Sequence, residues 1–452
     1  MYLFTIYIYN RYKMTDPTII QLIQNIKELF LAQVNNSQTL GQLIDTYLIP
    51  HHIEKKTNAE VSTPHLLRKD MLDKIPNEFW TNIKRVFEPC AGKGGFLLDI
   101  IDRFMIGLTP LIPNDKKRYK TIVEQCLYWS DINSTNVFIC KLLLDPNNEY
   151  KLNYNEGNTL DLDVKDKWNI TGFDAVIGNP PYNSPGNTGT GNTIWQHFVK
   201  MAINDWLVHG GILCFVHPPG WRKPNTTKGK LYGLYDLMAK TNQMTYLSIH
   251  GIKDGQQTFK CGTRYDWYVM EKTTRHKNTI IIDETSQQCE INLGDLSWLP
   301  NSNISNITDL LATNDNEHCP IMYSSNAYEY RQKWMSKTQT QEFKYPCVHS
   351  TPKRGIRYMY SSVNDRGHFG YSKVIFGDSG IYNPVIDMEG THGMTKHSMA
   401  IQVDTLEEAE YVCKAITSRK FYDIIQSCSY SSYAIDWNIF KYFKKDFWKE
   451  FI

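Results

Sequence analysis

The chain of 452 residues is 41% hydrophobic and 21% charged, with a formal net charge of +2, which is ordinary for a soluble globular protein of two or three domains. Its ten cysteines include no C-x-x-C pair, which argues against a zinc ribbon and a thioredoxin-like centre. No apolar stretch is long enough to cross a bilayer and no secretory cleavage pattern is visible, so we expect a cytoplasmic protein with no membrane partner.

The N-terminal segment, residues 1–49, is predicted to be helical. Its first nine or so residues are apolar and aromatic, which predicts a short strand or an extension ahead of a second possible start at Met14. Asp16 follows as a helix N-cap, and apolar residues then recur at spacings of three and four residues. A second helix is predicted over about residues 64–72.

Residues 50–275 show strands alternating with helices, which predicts a doubly wound, Rossmann-like α/β sheet. The expected strands lie within RVFEP, CLYWSD, KLNYNE, FDAVIG and GGILCFVH. One of the connecting helices is predicted over about residues 134–144. In such sheets ligands bind beyond the carboxyl ends of the strands, and each motif described below follows a strand.

The remaining residues, 276–452, lose this alternation. Polar runs rich in Asn, Ser and Thr interrupt short strand-like runs that contain many aromatic residues. We therefore predict a second domain of mixed α/β structure, with the domain boundary near residue 275.

A glycine-rich turn joins the first predicted strand to a helix. Gly92, Gly94 and Gly95 allow positive φ and a close approach of the backbone to a ligand. Glu88 at the strand end can bind an ammonium group, and Asp131 at the end of the next strand can bind ribose hydroxyls. A ligand with an amino-acid end and a ribose end is S-adenosylmethionine, which is the cofactor we predict. A purely structural turn beside a solvated Asp131 is the alternative.

The tetrapeptide Asn179-Pro180-Pro181-Tyr182 follows the apolar strand FDAVIG. Consecutive prolines fix φ and force Asn179 into an extended conformation, so the loop is stiff. The Asn179 side-chain oxygen and the Pro180 carbonyl can accept the two hydrogens of an exocyclic ring amine, which draws its nitrogen towards tetrahedral geometry. We therefore predict methyl transfer to the amine of a flipped base, with Tyr182 stacking on the extruded ring. An isolated proline turn is the alternative.

These residues resemble the gamma-class amino-methyltransferases of restriction–modification systems, over residues 50–275. FEPCAGKGGFLL is similar to that family's cofactor motif, and AEVSTP is similar to its N-terminal motif. The resemblance implies a site-specific DNA adenine-N6 methyltransferase, with Phe259 as a second ring that packs on the flipped base beside Tyr182. It implies cofactor-binding roles for Thr63, Pro64, Glu88, Pro89, Ala91, Gly92, Gly94, Phe96, Asp131 and Asn158.

The chain departs from the family pattern at several of these positions. Glu88 stands where the family has Asp, and Cys90-Ala91 inverts the usual Ala-Cys order. Lys93 replaces a small residue in the turn. Asn158 replaces an acidic residue that contacts the adenine of the cofactor, so we expect that contact to be altered.

The trailing residues 276–452 resemble a target recognition domain, and we predict double-stranded DNA as the partner. Lys353, Arg354 and Arg357 lie among aromatic residues, a composition that suits phosphate and groove contact, although an exposed strand explains it equally well. Only about 50 residues precede the first methylase motif, too few for a nuclease domain. We therefore predict modification without cleavage, a separate restriction endonuclease as a candidate partner, and no bound metal.

Four other functions remain open from the sequence. Protein glutamine methyltransferases use the same tetrapeptide on a smaller scaffold without a large trailing domain. Cytosine-N4 methyltransferases usually have Ser at the position of Asn179. RNA adenine methylation also fits the sequence. The fourth is a decayed methyltransferase scaffold that only binds nucleic acid, against which the intact tetrapeptide and Asp131 argue.

Overall fold

The computed structural model describes residues 61–184, 192–223, 229–312, 317–430 and 435–452. The predicted N-terminal strand and the helix that begins at Asp16 lie outside these residues. The described chain divides into two compact units, of which the first contains residues 61–221 and 229–296 and the second contains residues 222–223 and 297–452. None of the helices in the described ranges has the length and apolar character that a bilayer crossing requires.

In the described part of the first unit, nine strands and eight α-helices follow one another along the chain. The strands are β1 (Val86–Glu88), β2 (Leu127–Asp131), β3 (Asn153–Glu156), β4 (Phe173–Gly178), β5 (Leu207–His217), β6 (Gln243–His250), β7 (Tyr265–Glu271), β8 (Thr279–Ile282) and β9 (Gln288–Ile291). The α-helices are α1 (His65–Asp73), α2 (Asn77–Trp80), α3 (Gly95–Gly107), α4 (Asp115–Thr121), α5 (Ser134–Leu144), α6 (Val164–Trp168), α7 (Trp195–Met201) and α8 (Ile252–Phe259). Shorter π-helical and 3-10 segments are Ile122–Cys126, Thr159–Asp161, Ala202–Trp206, Asp236–Thr241 and Leu293–Asp295.

The nine strands form one twisted sheet in the order β3-β2-β1-β4-β5-β7-β6-β8-β9. Strands β1 to β5 run parallel, whereas β7 is antiparallel to both of its neighbours, β5 and β6. Every residue of β1 and β2 is buried, as expected for parallel strands that are covered on both faces. The predicted doubly wound α/β fold is therefore confirmed, and the five predicted strands correspond to β1 to β5.

Packing of α3 against the sheet explains how the glycine-rich turn is held in place. Gly94 precedes α3 with φ of 85°, a left-handed conformation that glycine adopts at little cost. Leu97, Ile100 and Phe104 then recur at helical spacing and are fully buried in the core. The Phe104 ring meets the Trp80 ring edge to face, with 5.0 Å between centroids, which fixes the far end of α3.

The first unit extends further along the chain than the sequence predicted. Its boundary lies after Leu296 rather than near residue 275, because β8 and β9 add to the edge of the sheet. Strand β8 pairs with β6 in parallel, and its central residue Ile281 is completely buried. A four-residue strand such as β8 is too short for its periodicity to reveal which sheet it joins.

The second unit contains two four-stranded sheets and short helices, consistent with the predicted mixed α/β structure. Its described strands are β10 (Ile321–Met322), β11 (Met335–Ser336), β12 (Tyr345–Ser350), β13 (Arg357–Ser361), β14 (Lys373–Gly377), β15 (Gly380–Asp387), β16 (Gly393–Met394) and β17 (Ser398–Gln402). Its described helices are α9 (Ile304–Thr308), α10 (Leu406–Ile416), α11 (Arg419–Ser427) and the 3-10 segments Trp437–Tyr442 and Phe447–Phe451. The sheet orders are β10-β17-β14-β15 and β11-β13-β12-β16.

A buried ion pair and a buried arginine contribute to the interior of the second unit. The Lys373 ammonium donates to the Asp387 carboxylate over 2.6 Å, and both side chains are almost completely buried. Arg222, which is contributed by a separate short chain segment, is also completely buried. Its guanidinium donates to the carbonyl oxygens of Leu299 and Pro300 over 3.0 and 2.9 Å. Buried charges with full sets of partners are costly to disrupt, so both groups constrain this unit strongly.

Candidate active site

A cavity of about 340 Å³ opens at the carboxyl ends of β1, β2 and β4, the edge at which ligands bind in doubly wound sheets. Most of the residues that the sequence predicted as site residues of the first unit line it. These are Thr63, Glu88, Pro89, Ala91, Gly92, Phe96, Asp131, Asn158, Asn179, Pro180, Pro181 and Tyr182. The glycine-rich turn and the tetrapeptide, which are separated by about 85 residues in sequence, therefore line one cavity.

The glycine-rich turn follows β1 and is fixed by the backbone of β2. The Ala91 N–H donates to the Ser130 carbonyl over 2.9 Å, which carries the chain across to β2 before it enters α3. Gly92 has φ of 52°, and a Cβ atom added to Gly95 would lie 2.7 Å from the guanidinium carbon of Arg68. The turn is thus packed closely against Arg68, and glycine is required at position 95.

Asp131 ends β2 and organises the cavity wall through three hydrogen bonds. Its carboxylate accepts from the backbone N–H groups of Gly92 and Asn133, over 2.8 Å in each case. The Asn136 side-chain nitrogen donates to the same carboxylate over 3.3 Å. Carboxylate oxygens are strong acceptors, so a carboxylate at this wall suits a ligand hydroxyl. This geometry fits the predicted contact to a ribose.

Glu88 ends β1 and is almost completely buried at the cavity wall, with 2% of its surface exposed. Its Oε2 atom accepts no hydrogen bond from the described residues. Burial raises the pKa of Glu88 well above its ordinary value of 4.5, and the nearby carboxylates of Asp131 and Asp99 raise this pKa further, against the opposing effect of Arg68. A carboxyl group that is buried and lacks a donor is suited to bind a ligand's ammonium group, which would supply the missing hydrogen bond.

Arg68 is a cavity residue that the sequence analysis did not single out. It lies on the buried face of α1, where its Nε atom donates to Asp99 on α3 over 2.6 Å. Its Nη1 atom donates to the Thr63 carbonyl. The sequence does carry a signal, because Arg68 shares helical spacing with the buried residues Met71 and Leu72. An arginine within an apolar helical stripe is typical of a buried, paired charge.

Asn179 points its side-chain amide into the cavity from the end of β4. The Nδ2 atom donates to the Val61 carbonyl over 3.3 Å and to the Thr63 hydroxyl over 3.1 Å. The Oδ1 atom is buried and has no hydrogen-bond partner within the described chain. The amide therefore presents an unsatisfied acceptor to the cavity, which is the property that binding an amine hydrogen requires.

Tyr182 and Asn158 line other parts of the same cavity. Burial raises the pKa of the Tyr182 hydroxyl well above its ordinary value, and this hydroxyl has no hydrogen-bond partner in the described ranges. Asn158 is exposed and begins a short 3-10 turn, with its Nδ2 atom donating to Asp161 over 2.7 Å. The adjacent Thr159 is buried, and its hydroxyl donates to the Pro89 carbonyl over 2.7 Å, which joins this turn to the glycine-rich turn.

Three predicted residues lie elsewhere in the first unit. Phe259 is not among the residues that line the cavity: the end of α8 packs into the core, and the ring meets Tyr265 edge to face at 4.8 Å. Pro64 and Gly94 also lie outside the lining, as the residues that precede α1 and α3. Their role is to start the helices that bring Thr63 and the turn to the cavity.

The predicted DNA-contacting residues lie in the second unit. Lys353, Arg354 and Arg357 are all exposed, with Arg357 at the start of β13. The Lys353 ammonium lies 5.0 Å from the centroid of the Tyr382 ring, a cation–π arrangement. Metal ligands do not gather in the described ranges, where no group of three or more His, Cys, Asp or Glu side chains could hold a metal ion.

Comparison with known proteins identifies the type of domain. A profile of the family described as Eco57I restriction-modification methylase matches residues 125–250, about a quarter of the chain. Over these residues the chain is similar to a restriction–modification methylase. The matched residues run from β2 to β6, and they include Asp131 and the tetrapeptide that begins at Asn179. A search of curated protein sequences gives no match.

Several solved structures are similar in fold. A DrdV–DNA complex is 10% identical over 94% of this chain and 59% of that chain, with a TM-score of 0.50. A modification subunit of a putative type I restriction enzyme from Vibrio vulnificus YJ016 is 14% identical over 55% of this chain, with a TM-score of 0.41. The chain spans about half of that subunit's length, 52%. At such identities the likeness shows the fold alone.

The cofactor of this methylase fold is S-adenosylmethionine, as predicted, and the cavity residues fit it. Glu88 is a buried carboxyl group that would suit the ammonium group. Asp131 lies at the cavity wall, where its carboxylate would suit the ribose hydroxyls. The turn containing Gly92 allows the backbone to approach the methionine part closely. The volume of about 340 Å³ is within the range of small-molecule sites.

Proposed function

We propose that this protein transfers a methyl group from S-adenosylmethionine to the exocyclic N6 amine of adenine in double-stranded DNA. The observation that carries this proposal is the Oδ1 atom of Asn179, a buried acceptor without a partner in the described chain at the cavity wall. The bound cofactor supplies an electrophilic methyl group on a sulfonium centre. The contribution of the protein is to orient a weakly nucleophilic amine towards that group.

The amine is activated by two acceptors of the tetrapeptide. Asn179 Oδ1 accepts one amine hydrogen, and the carbonyl oxygen of Pro180 accepts the other. Together they draw the nitrogen out of conjugation with the ring, so that its lone pair becomes available for attack. Preorganised groups of this kind contribute several kcal/mol to transition-state stabilisation. The proton leaves after the nitrogen has become cationic, so no strong base is needed.

The adenine must leave the helix to reach the cavity, at a cost of a few kcal/mol. Tyr182 at the cavity wall offers an aromatic face for the extruded base, and such stacking is worth about 1–3 kcal/mol per base. We assign no base-stacking role to Phe259, because its ring is buried in the core. The stacking surface of the proposal is therefore Tyr182 alone.

The second unit is proposed to hold and select the DNA. Its exposed residues Lys353, Arg354 and Arg357 would contact phosphates, which position the protein on the duplex. The similarity in fold to the DrdV protein, whose solved structure is a complex with DNA, extends over 94% of this chain and supports the assignment. A separate restriction endonuclease that cleaves unmodified DNA is the partner we propose for the cell.

The test is methyl transfer by the purified protein to unmethylated genomic DNA, with methylated nucleosides quantified by mass spectrometry. We expect N6-methyladenine with the native protein and a rate about 10²–10³-fold lower with Asn179→Ala, because one preorganised hydrogen-bond acceptor for the amine is lost. Asn204→Ala is the matched control, because Asn204 is exposed and lies outside the cavity. N4-methylcytosine as the product would correct the base, and methylation of RNA or of protein glutamine in place of DNA would overturn the proposal. Binding of DNA without any transfer would indicate a decayed enzyme.

A further inference from the structure

The side-chain amide of Asn179 is held in one orientation by a chain segment that precedes the sheet. Its Nδ2 atom lies 3.3 Å from the Val61 carbonyl oxygen and 3.1 Å from the Thr63 hydroxyl oxygen. These two partners are 118 and 116 residues away in sequence. The two hydrogens of the amide nitrogen therefore have two acceptors, both from the segment before α1.

The chemistry of these partners determines which amide atom faces the cavity. A backbone carbonyl can only accept a hydrogen bond, so the atom of Asn179 that faces Val61 must be the nitrogen. The oxygen is then left facing the cavity, where it is buried without a partner in the described chain. A flipped amide would place Oδ1 against the Val61 carbonyl, where two acceptors would face each other. It would also turn the NH₂ group towards the amine of the base, whose hydrogens need acceptors.

The segment that carries these acceptors is itself fixed by buried contacts. Thr63 is 6% exposed, and its carbonyl accepts a hydrogen bond from Arg68. Arg68 is paired with Asp99 on α3 over 2.6 Å. The hydroxyl of Thr63 thus occupies a position that is set by the packing of α1 against α3, and this position does not depend on an exposed loop.

We propose that Thr63 is a positioning residue for methyl transfer, which orients the Asn179 amide so that its oxygen faces the acceptor amine. This inference rests on the proposed function for the identity of the reaction. It differs from the role that the family resemblance implies for Thr63, which is to enclose the methionine part of the cofactor. A positioning residue affects the rate of transfer, whereas a cofactor-enclosing residue affects the affinity for the cofactor.

The decisive substitution is Thr63→Val, which keeps the side-chain shape and removes the acceptor. We expect the single-turnover rate of methyl transfer at saturating cofactor to fall about tenfold, the effect of one lost hydrogen bond that orders a catalytic group. The dissociation constant of S-adenosylmethionine, measured by calorimetry, should change by less than about twofold. Thr63→Ser keeps the hydroxyl and should recover most of the rate.

Thr121→Val is the matched control for the loss of a buried threonine hydroxyl. Thr121 is 8% exposed on α4, its hydroxyl donates to the Lys117 carbonyl over 3.0 Å, and it lies outside the cavity. We expect this variant to transfer methyl groups at the native rate. If Thr63→Val weakens cofactor binding and leaves the saturated rate unchanged, Thr63 is a cofactor residue and the inference is wrong.

A second measurement reads the amide orientation without any substrate. In protein labelled with ¹⁵N-asparagine, the Asn179 side-chain signal can be assigned by its disappearance in Asn179→Asp. We expect hydrogen exchange of this NH₂ group to be slow in the native protein and faster by about tenfold or more in Thr63→Val, because one hydrogen loses its acceptor. Unchanged exchange would overturn the positioning role. A native protein that methylates no DNA but shows the expected exchange would sink the proposed reaction and leave the amide orientation standing.

Discussion

The Asp131 carboxylate accepts a hydrogen bond from the backbone N–H of Gly92, with 2.8 Å between Oδ2 and the nitrogen. This bond joins the end of β2 to the glycine-rich turn after β1. One side chain thereby shapes the turn and also lines the cavity. The cofactor contact and the shape of the turn are therefore coupled at a single residue.

We predict that Asp131→Asn weakens the binding of S-adenosylmethionine by about tenfold or more. The two carboxylate oxygens of Asp131 accept hydrogen bonds from the Gly92 and Asn133 backbone and from the Asn136 side chain. The amide that replaces the carboxylate keeps only one oxygen, so at least one of these donors loses its acceptor. Calorimetric titration with the cofactor measures the effect. Asp174→Asn is the control, since Asp174 pairs with Lys84 near the amino end of β4, away from the carboxyl ends of the strands where the cavity lies. Equal loss of affinity in both variants would contradict this prediction.

Glu88 should make the stability of the ligand-free protein depend on pH. Burial, aided by the charges of Asp131 and Asp99, raises its pKa above 4.5, so the folded state favours the protonated acid. The contribution of Glu88 to the free energy of unfolding is complete at pH values below its pKa in the unfolded chain. This contribution is lost as the pH rises through its higher pKa in the folded protein. The side chain of the Glu88→Gln variant cannot ionise. We therefore expect the melting temperature of this variant, relative to that of the native protein, to increase as pH rises from about 5 to about 8.

The same substitution, Glu88→Gln, should weaken the binding of the cofactor, although it stabilises the ligand-free protein at higher pH. An amide cannot supply the negative charge that a ligand ammonium group requires, so Glu88→Gln should bind S-adenosylmethionine more weakly by about tenfold or more. Removal of a charge from an exposed site, Glu78→Gln, is the control. A melting difference between Glu88→Gln and the native protein that stays constant with pH would contradict the protonated state of Glu88.

Gly95→Ala should disturb the turn through a steric clash. The added Cβ atom would lie 2.7 Å from the Arg68 guanidinium, which cannot move away easily because it is buried and paired with Asp99. Overpacking of this kind costs about 1–3 kcal/mol, which should appear as a lower free energy of unfolding in urea. Gly262→Ala is the control because its Cβ would meet no atom closer than 3.7 Å. Similar stability of the two variants would show that Arg68 has room to shift.

The Lys373–Asp387 pair should be essential to the second unit. Lys373→Met leaves a buried carboxylate without its cation, a loss of about 3–5 kcal/mol. Burial acts to raise the pKa of Asp387, but hydrogen bonds from His392, Lys373 and the Thr391 backbone outweigh it and hold this pKa below its ordinary value. The stability from this group is therefore present at neutral pH and lost as pH falls below the ordinary value of about 3.8. Protease digestion at neutral pH should cleave the second unit of the variant first, and uniform resistance would contradict the prediction.

Replacing Lys353, Arg354 and Arg357 together with alanine should weaken DNA binding in a salt-dependent way. If each contacts one phosphate, the slope of log affinity against log salt should decrease by about 2.7, since each contact contributes about 0.9. Fluorescence anisotropy at several salt concentrations gives this slope. The matched control replaces Lys116, Lys117 and Lys120, which are exposed on α4. An equal change of slope in both triple variants would indicate a general charge effect and remove the specific assignment.

The features that could be predicted from the sequence are those encoded locally. Strands β1, β2 and β4 are short, largely apolar runs that end at an acidic residue or just before the tetrapeptide, and helix α5 has the predicted bounds, Ser134–Leu144. The residues at these strand ends, including Glu88, Asp131 and Asn179, line the cavity as the topology requires. Local pattern and topology were sufficient because the carboxyl ends of parallel strands meet at one edge.

The features that escaped prediction depend on contacts between distant residues. The partners of the Asn179 amide lie more than 110 residues earlier in the chain, and nothing in their local sequence indicates this pairing. The packing of the Phe259 ring against Tyr265 is also a contact that a motif resemblance does not encode. The buried pairing of Arg68 likewise needs Asp99, which lies 31 residues away on another helix.

The completely buried Arg222 has a consequence for dividing this protein into fragments. It is separated by more than 70 residues from the Ser297 that begins the main part of the second unit, yet it supplies hydrogen-bond donors inside that unit. A gene fragment that begins at codon 297 would encode the carbonyl oxygens of Leu299 and Pro300 without the guanidinium that satisfies them. The second unit is thus a spatial domain without being a contiguous genetic module, and it cannot be cut out or exchanged by a single junction.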